Sequence, residues 1–138
     1  MNKIIIFTDG GSRNNPGIAG AGVYITDGEG NELKKTKKFL GIQTNNWAEY
    51  EALILGLETA KKLLGENLKK TDVEVRMDSE LIVKQLNGEY RVKEPSLFEQ
   101  FVKVNNLKIN FPNIKFTHIP RAKNGEADKL ANEAMDEK

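Results

Sequence analysis

Hydrophobic positions change their spacing several times along this chain, and each change marks an element. Lys3–Thr8 is a short, mostly β-branched run, and Gly10–Gly17 after it is rich in turn residues and contains Pro16. Ala19–Thr26 and Glu32–Leu40 flank Asp27-Gly28-Glu29-Gly30. Asp-Gly tolerates positive φ, so this pair predicts a hairpin, and three antiparallel strands are expected at the start. From Asn45 the period lengthens: Trp47, Tyr50, Leu53/Ile54, Leu57, Ala60 and Leu64 recur at helical spacing, with Gly65 as the stop. Val73–Met77 reads as a strand, Ser79–Leu86 as a helix and Asn87-Gly88 as a turn. Pro95 suits the first turn of a further helix carrying Leu97, Phe98, Phe101, Val102 and Val104. Ile114–Ile119 is the last strand, ended by Pro120. Asn124 is expected to cap a final helix whose apolar face is Ala127, Leu130, Ala131 and Ala134. The order βββαβααβα predicts an α/β protein, a mixed sheet with helices packed on it, in one domain over residues 1–138.

Composition narrows the function classes. Hydrophobic content of 38% and charged content of 30% suit a globular protein with one core. The net charge of +1, from 21 basic and 20 acidic residues, gives no overall pull toward nucleic acid, so any such surface has to be local. The absence of cysteine excludes disulfides, zinc–thiolate sites and a thiol nucleophile. Ile4–Phe7 is too short an apolar run for a signal peptide or a membrane span, which predicts a cytoplasmic protein without membrane association.

Four acids, Asp9, Glu49, Asp78 and Asp128, each end a strand-like run or open a helix. Singly, each has an ordinary reading. Asp9-Gly10 suits a turn and Asn46-x-x-Glu49 a capping box. Asp78 could cap the next helix, and Asp128 suits a helix dipole. If the elements meet in one sheet, however, the acids gather at one edge and repel. A hard divalent cation with oxygen ligands relieves that, and Mg²⁺ takes carboxylates together with substrate phosphates. The chemistry this points to is phosphodiester hydrolysis.

The words around the acids are more specific. FTDGGSRNNPG, TNNWAEYEAL, MDSELIVKQL and HIPRAKNGEADKLANEA, in that order over about Lys3 to Met135, resemble type 1 ribonuclease H. The resemblance implies a five-stranded mixed sheet of order 3-2-1-4-5, flanked by helices, with strand two antiparallel to the rest. It implies an endonuclease that cuts the RNA strand of RNA–DNA hybrids by two-metal-ion catalysis, leaving 3′-hydroxyl and 5′-phosphate ends. Asp9, Glu49, Asp78 and Asp128 match the family's metal-binding carboxylates, with two Mg²⁺ ions as cofactor and Mn²⁺ as the alternative. Asn15 and Asn45 match residues that contact the hybrid, and Gly10 and Gly11 a turn that approaches it closely. Thr44 and Ser79 are further candidate contacts, and Glu80 stands where a glutamine or another polar residue near the RNA 2′-hydroxyl is usual. A monomer is expected.

Two departures from the family pattern matter. Many members carry a histidine in a mobile loop before the last helix, whereas here the Pro120–Asn124 connection is short and His118 falls inside the last strand. His118 is expected to be a strand residue hydrogen-bonded in place, with Arg121 as the catalytic substitute. Being permanently charged, Arg121 can stabilise phosphate charge but cannot titrate. The basic, tryptophan-containing helix of some members is also missing, replaced by Gly88–Lys93, and Lys34, Lys35, Lys37 and Lys38 are expected to be a solvated strand face. Two rival classes fit less well. A non-catalytic binding module would have lost acids, and a phosphatase using Asp9 as nucleophile usually has a second acid where this chain has Gly11.

Overall fold

The apolar runs of Lys3–Ser12 (β1) and Gly17–Asp27 (β2) and the lysine-rich Glu32–Gln43 (β3) build an antiparallel meander in the computed structural model, which describes residues 2–137. Met1 and Lys138, the ends of the expected domain, lie outside the described residues. Asp72–Met77 (β4) and Ile114–His118 (β5) add in parallel beyond β1. The sheet order is β3-β2-β1-β4-β5, and β2 alone runs against its neighbours, as the sequence motifs imply. The helices are Asn45–Leu64 (α1), Glu80–Leu86 (α2), Phe98–Lys108 (α3) and Gly125–Asp136 (α4). None of the described helices is long and apolar enough to cross a membrane.

Strand alternation sends successive side chains to opposite faces. Ile6, Val23 and Ile25 meet Leu53 and Leu57 of α1 in the main core, and Gly56 brings α1 close, since a Cβ there would lie 2.9 Å from Thr8 Cγ2. The other face is covered by α4, which lies directly on β2 backbone. A Cβ at Gly22 would come within 2.2 Å of the Ala127 carbonyl oxygen, and one at Gly20 within 2.6 Å of that of Ala131. The expected stripe Ala127, Leu130, Ala131 and Ala134 is buried there.

The structure corrects several local expectations. β1 continues through Ser12, so Gly10 and Gly11 are strand residues paired with Ala21 and Gly20 and not part of a turn. Gly10 does permit a close approach, but to α1: a Cβ would sit 2.1 Å from the Ala48 carbonyl oxygen. Thr44, not Asn46, caps α1 by accepting from Trp47 N, which leaves Glu49 a full turn inside the helix and outside a capping box. Ser79, not Asp78, caps α2, accepting from Ile82 N. Pro95 opens a single 3₁₀ turn, Pro95–Leu97, ahead of α3, and another short 3₁₀ segment, Gly65–Lys70, follows α1. Asn124 precedes α4 without capping it by its side chain, which is employed elsewhere. β5 ends at His118, and that residue is exposed and makes no hydrogen bond to another described side chain, so it is not held in place as expected. The β3 lysines are exposed, yet Lys37 pairs with Glu133 of α4 at 3.4 Å and with Glu137 just past its end at 2.7 Å.

Candidate active site

β1 and β4 are parallel neighbours at the point where the chain order reverses, the position at which open α/β sheets gather ligands. Asp9 lies near the end of β1 and Asp78 directly follows β4. Glu49 enters from α1, which the missing side chain of Gly10 lets sit against β1, and the Gly10 N–H donates to Glu49 Oε1. Oxygens of Asp9, Glu49 and Asp78 lie within 4.8 Å of one another. Asp128, in the first turn of α4, adjoins Asp9 on the other side. Arg121 follows β5 in the 3₁₀ turn Arg121–Lys123, and its Nη2 is 3.9 Å from Asp128 Oδ1. All five side chains line one cleft of about 510 Å³, together with Gly10, Gly11, Asn45 and Ser79.

The electrostatics follow from that crowding. Burial, with the charges of Asp78 and Asp128 added, pushes the Asp9 carboxyl up to about 8, although Arg121 draws it down. Glu49 is also raised well above the usual range, first by burial and then by Asp9, against the opposing hydrogen bond from Gly10. An all-carboxylate donor set that converges this tightly, with no cation seated among its oxygens, fits a hard divalent cation. Asn124 fixes the arrangement from below. It is buried, and its Nδ2 donates to the Thr8 carbonyl at 2.9 Å and to Asp78 Oδ2 at 3.4 Å, tying β1 to the acid that follows β4.

The remaining motif residues divide into two groups. Asn45 Oδ1 accepts from Ser12 N at 2.8 Å and Ser12 Oγ at 3.0 Å, which leaves its Nδ2 to serve a ligand. Asn15, Thr44 and Glu80 do not line the acid cleft. Asn15 Oδ1 accepts from Asn45 N at 3.0 Å and so braces the start of α1, while Thr44 caps that helix. Glu80 is exposed and 3.7 Å from Lys84. Glu51, the neighbouring acid on α1, faces away and accepts from Gln100 Nε2 at 2.8 Å. Sequence reasoning missed Ser12, Arg13, Asn46, Asn132 and Met135, which also line the cleft. Asn132 had a readable signal, since it stands four residues after Asp128 on one helix face. Arg13 is the only cation of the first motif.

A family model described as "Reverse transcriptase-like" matches residues 7–134. The chain is 44% identical over 135 residues to the bifunctional protein Rv2228c of Mycobacterium tuberculosis, a match covering 97% of this chain and 36% of that one. It is 39% identical to ribonuclease HI of Halobacterium salinarum, covering 98% and 65%. It thus spans about a third of the first relative's length and just under two thirds of the second's. Among solved structures, LC11-RNase H1, isolated from compost by a metagenomic approach, superposes with a TM-score of 0.94 at 56% identity, covering 99% of this chain and 98% of that one. The same protein in complex with an RNA/DNA hybrid gives 0.92 at 55% identity, covering 97% of each. With the sheet order, the four acids in one cleft and matches along nearly its whole length, the chain belongs to the type 1 ribonuclease H family.

Proposed function

We propose that this protein hydrolyses the RNA strand of RNA–DNA hybrids, leaving 3′-hydroxyl and 5′-phosphate ends. The observation that carries the reading is the convergence of Asp9, Glu49 and Asp78 within 4.8 Å, with Asp128 beside Asp9. These four would hold two Mg²⁺ ions, with Mn²⁺ as the alternative, which when bound shield the scissile phosphate and lower the pKa of the attacking water. The chain's own residues do the rest. The Gly10 N–H and the Asn124 amide fix Glu49 and Asp78, so neither carboxylate has to reorganise during the reaction. Arg121, 84% exposed at the side chain and 3.9 Å from Asp128, balances phosphate charge as the leaving oxygen departs.

Hybrid is the favoured substrate because a close relative is solved in complex with one, and because the cleft rim carries amides and hydroxyls. Asn45 Nδ2 and Ser79 can hydrogen-bond an RNA 2′-hydroxyl, which both donates and accepts. Gly11, where a Cβ would meet nothing nearer than Asn45 Oδ1 at 3.9 Å, leaves room for the strand, and Asn15, Thr44 and Glu80 act from the outer rim. The reading includes a monomeric single domain over residues 1–138 working in the cytoplasm, free of membrane. The test uses labelled hybrid, double-stranded RNA and single-stranded RNA, each with Mg²⁺, Mn²⁺ or excess chelator. Cleavage of the hybrid's RNA strand alone, abolished by chelator and by Asp78→Asn in a normally folded protein, is expected. Undiminished cleavage in chelator would overturn the reading.

A further inference from the structure

The acid cleft has two cations on its wall, Arg121 and Arg13, and the proposed reaction uses only the first. Arg13 stands just past the end of β1, with its backbone N–H fixed to the Ile18 carbonyl at 2.9 Å. Its guanidinium is folded back onto α4: Nη2 lies 2.7 Å from Asp136 Oδ1 and donates to the Asn132 carbonyl at 3.2 Å. Asp136 is two turns beyond Asp128 on the same helix, so the two arginines are spaced along one wall by on the order of 12 Å of helix rise. Glu133 of α4 and Glu137 just past its end also hold Lys37. The acidic end of α4 therefore occupies Arg13 on the cleft wall as well as Lys37 on β3.

We infer that Arg13 is a hybrid-phosphate contact, and that Asp136 is an internal competitor for it which the nucleic acid displaces; this rests on the hybrid-nuclease reading above. Magnitudes decide which bond wins. The Arg13–Asp136 pair is exposed, at 42% and 67% for the two side chains, and such pairs shift an equilibrium by at most about fivefold. A charge-assisted contact to phosphate is worth tenfold or more, and it gains further from counterion release. The planar fork of arginine suits phosphate oxygens as well as it does a carboxylate, so the exchange needs only a change of rotamer. A near-neutral protein can in this way keep a cation beside four acids without offering a free basic surface to every polyanion.

The experiment measures hybrid binding in Ca²⁺ over a salt series, and Mg²⁺-dependent turnover, for wild type, Arg13→Ala, Asp136→Asn and the double variant. Arg13→Ala should weaken binding on the order of tenfold, raise KM with kcat little changed, and lower the salt slope by about 0.9. Asp136→Asn should tighten binding a fewfold, about the strength of the pair it breaks. The double variant should match Arg13→Ala, because the competitor has nothing left to compete for. If the two single variants lower Tm alike and leave binding and salt slope at wild-type values, Arg13 is a strut for α4 and the inference falls. A wild type that fails to cleave hybrid in Mg²⁺ would instead remove the underlying reading.

Discussion

Replacing the most crowded acid should make the metal-free protein more stable while silencing it. In Asp9→Asn the shape is kept and one charge removed from a cluster where burial and neighbouring acids lift the Asp9 pKa from 3.8 to about 8. At pH 7 the unfolded chain carries this aspartate ionised, whereas the folded protein must take up a proton. The span from 3.8 to pH 7 sets a ceiling of about 4 kcal/mol, at about 1.36 kcal/mol per unit. Solvent in the open cleft and the interaction with the raised carboxyl of Glu49 reduce this to about 2 kcal/mol, or ~7 °C in Tm for a chain of this length. Between pH 4 and 8 the folded state holds the extra proton, so wild-type stability falls as pH rises through that window. Asparagine holds none. The variant's advantage should therefore open with rising pH and close near pH 4. Thermal unfolding in chelator at pH 5 and 7.5 measures it, and Mg²⁺ should then stabilise wild type more than the variant. An asparagine variant less stable than wild type in chelator at pH 7.5, or a gap independent of pH, would refute the reasoning.

Other perturbations separate roles around the cleft. Arg121→Ala should cut turnover about 10- to 100-fold with Tm almost unchanged, since the side chain is exposed and the role proposed for it is in the transition state. His118→Ala, at an exposed strand end, should leave both turnover and Tm near wild type, and steady-state kinetics showing the reverse pattern would exchange the two roles. Gly22→Ala should destabilise by ~3 kcal/mol or more, because its Cβ would fall 2.2 Å from the Ala127 carbonyl oxygen and push α4 off β2. Turnover should fall with it as Asp128 moves away, which denaturant melts and rate measurements would show together.

The order of strands and helices was legible because each depends on local signals: the β-branched run at Lys3–Thr8, the hairpin at Asp27-Gly28, the helical run from Trp47 to Leu64, and the glycine stop at Gly65 all hold in the structure. Boundaries and caps were less so. Gly10 and Gly11 read as a turn because glycine favours turns, whereas the constraint on Gly10 is the helix backbone at Ala48, far along the chain, which no local window contains. Thr44 and Ser79 stand out in their motifs as polar residues, but the helix caps their oxygens form were not read from the sequence. The gathering of the four acids could be argued from sequence, since strand ends of a mixed sheet share an edge. What could not be read were the connections that hold the acids still. Asn124 reaches across 116 residues to the Thr8 carbonyl, and Arg13 reaches α4 across 119.

Those spans also say when, in the life of the chain, the cleft comes into being. Asp9 is made with β1, and its neighbour Asp128 arrives only with α4, after all five described strands. A nascent chain that ends at β5 has three of the acids but lacks the fourth, and it lacks the Asn124 tie that holds Asp78. Contacts between positions so far apart in the chain form late and slowly. The proposed nuclease activity thus has to wait for α4, and the Pro120–Asn124 connection is the stretch of chain that delivers both the fourth acid and the tie to Asp78.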